Sequence, residues 1–189
     1  EPVAFGKEVG CTGNGDINVA KAVELTLNDG FDPTTGKQVG PHTGDPDSFG
    51  GFDEFFDKTV AQLECVTSLA AQVVSEWERH YAEIYPIPLF SATYQSCLES
   101  GTDALCGGAE YNNSSLTYAC VGSAVDSLIA VSAAYDGAFD LSELRAALRA
   151  DWNGYEKLRA ELDRLPRYGN GDPAADEIAH RLTSELSRM

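Results

Sequence analysis

Residues 88–112 read PLFSATYQSCLESGTDALCGGAEYN. An apolar, helix-like segment runs into Cys97. A Glu99-x-Gly101-x-Asp103 turn follows, then Gly107-Gly108-Ala109, then Tyr111-Asn112. The paired glycines belong to no G-x-G-x-x-G or Walker pattern, so they do not read as a phosphate cradle. Leu89 to Leu98 suits a short helix. From Thr102 to Gly122 the signals are mixed, and Leu116, Tyr118 and Cys120 alternate, which predicts a loop with one short strand.

Working outward from this stretch, helices dominate. Pro86 and Pro88 end a long amphipathic pattern from about Phe52 to Tyr85. Its apolar positions, Phe52, Phe55, Phe56, Val60, Leu63, Val66, Leu69, Val73, Trp77, Tyr81 and Ile84, recur at steps of three and four and predict one buried stripe. Towards the N-terminus, residues 31–50 hold four glycines and three prolines and read as a long loop. Before it, Asp16 or Asn18 can cap a helix through about Asn28, with Val19, Ala22, Val23 and Leu27 inward and Gly30 suited to a left-handed end. Residues 1–15 are Gly-rich, lack period and read as loop. Towards the C-terminus, helices are expected over Ser123–Ala134, Leu141–Trp152, Tyr155–Leu165 and Pro173–Ser187. Asp140 and Asp172 stand where caps belong, and Pro173 falls in a favoured first turn.

The chain has 189 residues, 43% of them apolar, and a net charge of −17. That length and composition allow a real core. The acidic balance argues against nucleic acid and against an anionic membrane surface. No apolar run reaches transmembrane length. Five cysteines, an odd number without Cys-x-x-Cys, suggest neither a disulfide framework nor a zinc site, so reduced and mostly buried thiols are expected. His42, His80 and His180 lack metal-ligand spacing, and no metal is expected. Asp45, Asp47, Asp53 and Glu54 lack EF-hand periodicity and read as a solvated loop with a helix start. Ser91 and Ser127 have no nucleophile-elbow context.

Five motifs in order give the chain a family look. Asn18-Val19-Ala20-Lys21 with Glu24-Leu25-Thr26-Leu27-Asn28-Asp29-Gly30 comes first. Gly36-Lys37-Gln38-Val39-Gly40-Pro41 with Thr43-Gly44-Asp45-Pro46 follows. Then come the 97–112 stretch, Asp126-Ser127-Leu128, and Gly154-Tyr155-Glu156 with Tyr168-Gly169-Asn170. The order and spacing resemble the glycyl radical enzymes, the family of pyruvate formate-lyase and its dehydratase, lyase and decarboxylase relatives. The resemblance covers nearly the whole chain. It implies an α/β fold, a mostly helical fragment of a pyruvate formate-lyase-like α/β barrel. Residues 1–189 would be part of one such domain, in its second half. The chain starts Glu-Pro and its only methionine is Met189, so a piece of a longer protein is expected.

The resemblance also assigns chemistry. Many relatives carry the radical cysteine in Gly-Cys-x-Glu-Pro. Counting back from Asn18 by the family interval puts that cysteine two residues before Glu1, so that Glu1-Pro2 completes the motif. Glu1 is then the expected catalytic residue, exchanging a proton beside the radical carbon, which a carboxylate tuned by burial can do. Gly6-Lys7 fits the Gly-Lys of the loop that follows. Cys11 lies too close to Asn18 and has no Glu at the motif spacing, so it is not the radical cysteine. Diol-type relatives show Trp-His-Asp where this chain has Cys11-Thr12-Gly13. Thr12 can offer a hydroxyl to substrate, and Gly13 cannot replace the aspartate, which argues against a glycerol- or propanediol-type site.

The implied cofactor is a glycyl radical on a glycine outside this chain, installed by an activase that uses S-adenosylmethionine and an iron–sulfur cluster. The implied partners are a small-molecule substrate, that activating enzyme and the rest of the same polypeptide. A homodimer stays open because relatives are often dimers. The implied setting is anaerobic and cytoplasmic. The expected reaction is a radical-based lyase: dehydratase, carbon–nitrogen lyase or decarboxylase. The alternatives are a formate C-acetyltransferase-like enzyme or a non-catalytic helical interaction module. The isolated chain is expected to be inactive.

Overall fold

The computed structural model describes residues 7–11 and 15–189. Along the chain the elements are β1 (Val9–Cys11), β2 (Gly15–Asn18), α1 (Val19–Leu27), β3 (Phe31–Asp32) and β4 (Lys37–Gln38), then a 3₁₀ turn at Pro46–Ser48. There follow α2 (Phe52–Glu78), α3 (Tyr81–Ile84), α4 (Pro88–Ser91), α5 (Gln95–Ser100) and a second 3₁₀ turn at Ala104–Cys106. Last come β5 (Tyr111–Asn113), β6 (Leu116–Ala119), α6 (Val121–Tyr135), α7 (Leu141–Arg149), α8 (Glu156–Leu162) and α9 (Pro173–Leu186).

The chain forms two compact units. One holds Asn18–Val66 and Tyr118–Met189. It is a helical cluster in which α6 packs against α1, α7 and α9. Asn18 caps α1 by accepting the Lys21 amide at 3.3 Å, and Val19, Ala22, Val23 and Leu27 all face inward. Phe55, Phe56 and Leu63, from the first part of α2, join Leu128 of α6 and Leu182 of α9 in the same core. Asp140 and Asp172 cap α7 and α9 as their positions predict, and Pro173 opens α9. Gly30 has φ +78°, the left-handed end expected of it.

Residues 31–50 are more ordered than a plain loop. Phe31 and Asp32 pair antiparallel with Gln38 and Lys37. The Asp29 carboxylate accepts the Thr43 and Gly44 amides at 2.6 and 2.7 Å, and His42 Nδ1 lies 2.8 Å from it. Asp45 and Asp47 both take Arg145 at 2.9 Å, and the Tyr135 hydroxyl donates to the Pro46 carbonyl at 2.7 Å. His42 and the acidic pair are therefore structural contacts of this loop.

The other unit gathers Thr67–Thr117 with the described residues up to Ile17. Its central feature is the parallel pair β1–β5, in register Val9 with Tyr111, Gly10 with Asn112 and Cys11 with Asn113. A strand thus replaces part of the loop expected over residues 1–15, and 102–122 holds two strands where one was expected. Three-residue strands carry too little periodicity to be seen in sequence, and their pairing is set by distant backbone partners. The Leu89–Leu98 helix is split into α4 and α5 around Ala92–Tyr94.

The buried stripe of α2 also needs correction. Leu69, Val73 and Trp77 are 49%, 57% and 60% exposed, and Ile84 is exposed beyond them. In this unit Val74 turns inward instead, Tyr81 is buried as the stripe expects, and the helix ends at Glu78 with Tyr81 opening the separate α3. Tyr111 is exposed. Of the five free cysteines only Cys97 is fully buried, and Cys120 is exposed, so mostly buried thiols do not hold either.

Candidate active-site strand and its anchors

Glu1, Thr12 and Gly13 lie outside the described residues. Between them in sequence stands β1, held in place by contacts with β5 and α5.

Four kinds of contact hold this strand. On one side the β1–β5 ladder is extended by the Tyr111 amide donating to the Glu8 carbonyl at 2.9 Å. On another, the Glu8 carboxylate accepts the Gln95 amide at 2.6 Å, the Ser96 amide at 2.9 Å and the Ser96 hydroxyl. The Tyr94 hydroxyl donates to the Val9 carbonyl at 3.0 Å. Lys7 pairs with Glu110 at 2.6 Å on the surface, where such a pair adds little.

Gly10 completes the fit. A Cβ there would stand 2.4 Å from the Ala104 carbonyl oxygen, so only glycine lets β1 lie against the Ala104–Cys106 turn. A Cβ on Gly108 would likewise stand 2.1 Å from the Thr102 carbonyl oxygen. This gives Gly107-Gly108 its role. Gly107 takes φ +94° to turn the chain and Gly108 admits the neighbouring backbone. The Asp103 carboxylate accepts the Ile87 amide at 2.7 Å, fixing the same turn to the start of α4.

A cavity of about 490 Å³ opens beside this strand, lined by Gly10, Cys106, Asn112, Glu78, Arg79 and neighbours. The Asn112 amide donates to the Ala109 carbonyl at 2.8 Å, and Ser114 donates to Glu78 at 2.7 Å. The wall is therefore mixed: hydrogen-bonded polar groups stand beside the apolar Ala82, Ala104 and Leu105. The Ser96 hydroxyl and amide hold the Glu8 carboxyl below the usual carboxylate range. Burial pushes the Cys97 and Cys106 thiols up, so neither is a ready thiolate.

In the helical unit a cavity of about 680 Å³ is lined by parts of α1, α6 and α7 and by residues 162–167. Its charged groups are mostly paired: Lys21 with Asp32 at 2.6 Å, Arg145 with the acidic loop, and Arg167 with Asp163 at 2.8 Å. That arrangement reads as structure. Among the described residues no group of three His, Cys, Asp or Glu could hold a metal ion, and no helix is long and apolar enough to cross a membrane.

The family model for pyruvate formate lyase-like proteins matches residues 1–189. The chain belongs to the pyruvate formate lyase-like family, the glycyl radical enzymes. It is 36% identical over 184 residues to trans-4-hydroxy-L-proline dehydratase of Clostridioides difficile, covering 93% of this chain and 23% of that one. To (2S)-3-sulfopropanediol dehydratase of Klebsiella oxytoca it is 33% identical, covering 92% and 21%. The crystal structure of hydroxyproline dehydratase from Clostridioides difficile with trans-4-hydroxy-L-proline bound superposes with a TM-score of 0.83 at 35% identity, over 92% of this chain and 22% of that one. The fold is thus that of a mostly helical segment of the family's α/β barrel, and the chain spans less than a quarter of the length of these relatives.

Sequence reasoning missed Glu8 and Tyr94. Their partners lie 85 to 88 residues away, and no local pattern marks them.

Proposed function

We propose that the whole protein is a glycyl radical lyase that removes water, an amine or carbon dioxide from a small polar molecule. The observation that carries this reading is the family match over residues 1–189 together with its two dehydratase relatives. Residues 1–189 form part of one barrel domain in its second half, and the radical glycine and the reacting cysteine lie outside them. The radical supplies hydrogen-atom abstraction from the substrate, and a radical S-adenosylmethionine activase with an iron–sulfur cluster installs it.

Glu1 is the proton carrier. Its carboxylate takes a proton from a substrate hydroxyl or similar group as the neighbouring carbon reacts, then gives it up as the leaving group departs. The net change is loss of the small leaving group, and the carboxylate is restored. Thr12 offers a hydroxyl to the substrate. Gly13 leaves room where an aspartate would hold a second hydroxyl, which turns the site away from simple diols. Oxygen destroys the radical, so the reaction belongs in an anaerobic cytoplasm and in a cavity closed to water.

Replacing Glu1 tests this reading. In the full-length protein, activated anaerobically, Glu1→Gln keeps the radical seen by electron paramagnetic resonance but loses turnover about 10²-fold or more. A variant that turns over at the wild-type rate removes Glu1 from the mechanism.

A further inference from the structure

Tyr94 stands at the N-cap of α5 yet makes no side-chain capping bond there. Its hydroxyl goes to the Val9 carbonyl. The cap of α5 comes instead from Glu8, next door to Val9, whose carboxylate takes both of the helix's first free amides and the Ser96 hydroxyl. The two residues exchange roles across the gap: the strand caps the helix, and the helix cap holds the strand. With β5 pairing β1 from another direction, the strand is fixed on separate sides by polar bonds.

A three-residue strand is too short to hold itself. Such an investment of long-range bonds in β1 calls for a reason beyond burial, because Lys7 is exposed and Glu8, Val9 and Cys11 are only half-buried. The reason lies in what flanks it. Residues 1–6 lead into β1 and Thr12 and Gly13 follow it directly. Acid–base chemistry beside a reacting carbon tolerates errors of only about 0.5 Å in the placement of its groups.

We infer that the Glu8–Ser96 and Tyr94–Val9 bonds form a clamp that positions β1, the strand leading from Glu1 to Thr12, with Glu8 and Tyr94 as positioning residues for hydrogen transfer and proton exchange. The inference rests on the proposed function for its catalytic consequence, while the clamp itself stands on the contacts above. Glu8→Gln replaces one acceptor oxygen by a donor facing amides that also donate. Tyr94→Phe removes a single hydroxyl and keeps the ring.

The test uses the full-length protein with two readouts. Hydrogen exchange over residues 7–13 reports the clamp directly. It is expected to speed up at least tenfold in both variants, with no comparable change in α6 or α9. In activated enzyme, both variants are expected to keep wild-type radical content and to lose about 10-fold to 10²-fold in kcat. The deuterium isotope effect on kcat with substrate labelled at the reacting carbon is expected to rise, because a misplaced strand makes hydrogen transfer slower than later steps. A merely structural role would lower activity in proportion to radical content and leave the isotope effect where it was, and that result overturns the inference. Wild-type exchange rates over residues 7–13 in both variants overturn it as well. Should Glu8→Gln fail to fold, Tyr94→Phe decides alone. Should the wild-type enzyme form no radical, the proposed function falls, and the exchange data still decide whether the clamp exists.

Discussion

The unit built on α1, α6 and α9 and the unit built on β1 solve the folding problem differently. The first buries Phe55, Leu63, Val125, Leu128 and Leu182 in one continuous apolar cluster. The second, among the described residues, buries Ile17, Val74, Tyr81, Cys97, Ala104 and Ala109, smaller groups for the most part. It closes itself with side-chain-to-backbone bonds spanning 85, 87 and 88 residues. Apolar burial is non-directional and forgiving of small shifts. Hydrogen bonds fix direction and distance while adding only about 1 kcal/mol each. Apolar burial should therefore dominate the stability of the helical unit, while directional hydrogen bonds set the geometry of the strand unit.

This contrast can be broken first at its strongest point. Phe55 is fully buried, with its ring 6.4 Å from Phe49 and 6.2 Å from Tyr135. Phe55→Ala should cost about 3–5 kcal/mol in chemical denaturation. A loss under 1 kcal/mol would mean that the apolar cluster does not carry the unit. Gly10→Ala comes next. Its new methyl would press on the Ala104 carbonyl and should cost about 1–3 kcal/mol, with the loss of order concentrated in residues 7–13 and 102–113 by hydrogen exchange. An effect spread evenly over the chain would erase the distinction between the two units.

A finer separation comes from pH. Lys21, and after it the Thr35 hydroxyl, hold the Asp32 carboxyl far below the usual carboxylate range. A depressed folded-state pKa contributes stability that is present above the unfolded value of about 4 and fades as pH falls through the folded one. Wild-type stability should therefore decline below about pH 4, and Asp32→Asn should flatten that decline in the helical unit while leaving the exchange of β1 unchanged. Equal acid slopes in the two proteins would show that this ion pair contributes nothing. At the other end, burial above all pushes Tyr135 up to about 12. It adds stability below its unfolded value of about 10 that is lost as pH rises through 12.

The same contrast explains what could be read in the sequence. Asn18, Asp140, Asp172 and Pro173 mark helix starts through local chemistry, and all four do so here. The Val19–Leu27 stripe and the first half of α2 follow helical period because a contiguous core lies under them. Beyond Val66 the period persists, yet Leu69, Val73 and Trp77 face outward. Periodicity tells which residues share a face, not what covers it. The pairing of β1 with β5 joins residues about a hundred positions apart, and Glu8, Tyr94 and Gly10 take their meaning only from that pairing. Glu1, Thr12 and Gly13 come from the family resemblance alone, whereas the contacts that hold the neighbouring strand join residues 85 to 88 positions apart.

The most direct measurement is anaerobic activation of the full-length protein by a radical S-adenosylmethionine activase, followed by electron paramagnetic resonance and by product analysis with small hydroxylated acids and amines. The account predicts a glycyl radical signal and loss of water, amine or carbon dioxide from at least one such substrate. Absence of the signal in correctly folded, fully activated preparations would contradict it and leave the chain as a helical module of the family without its chemistry.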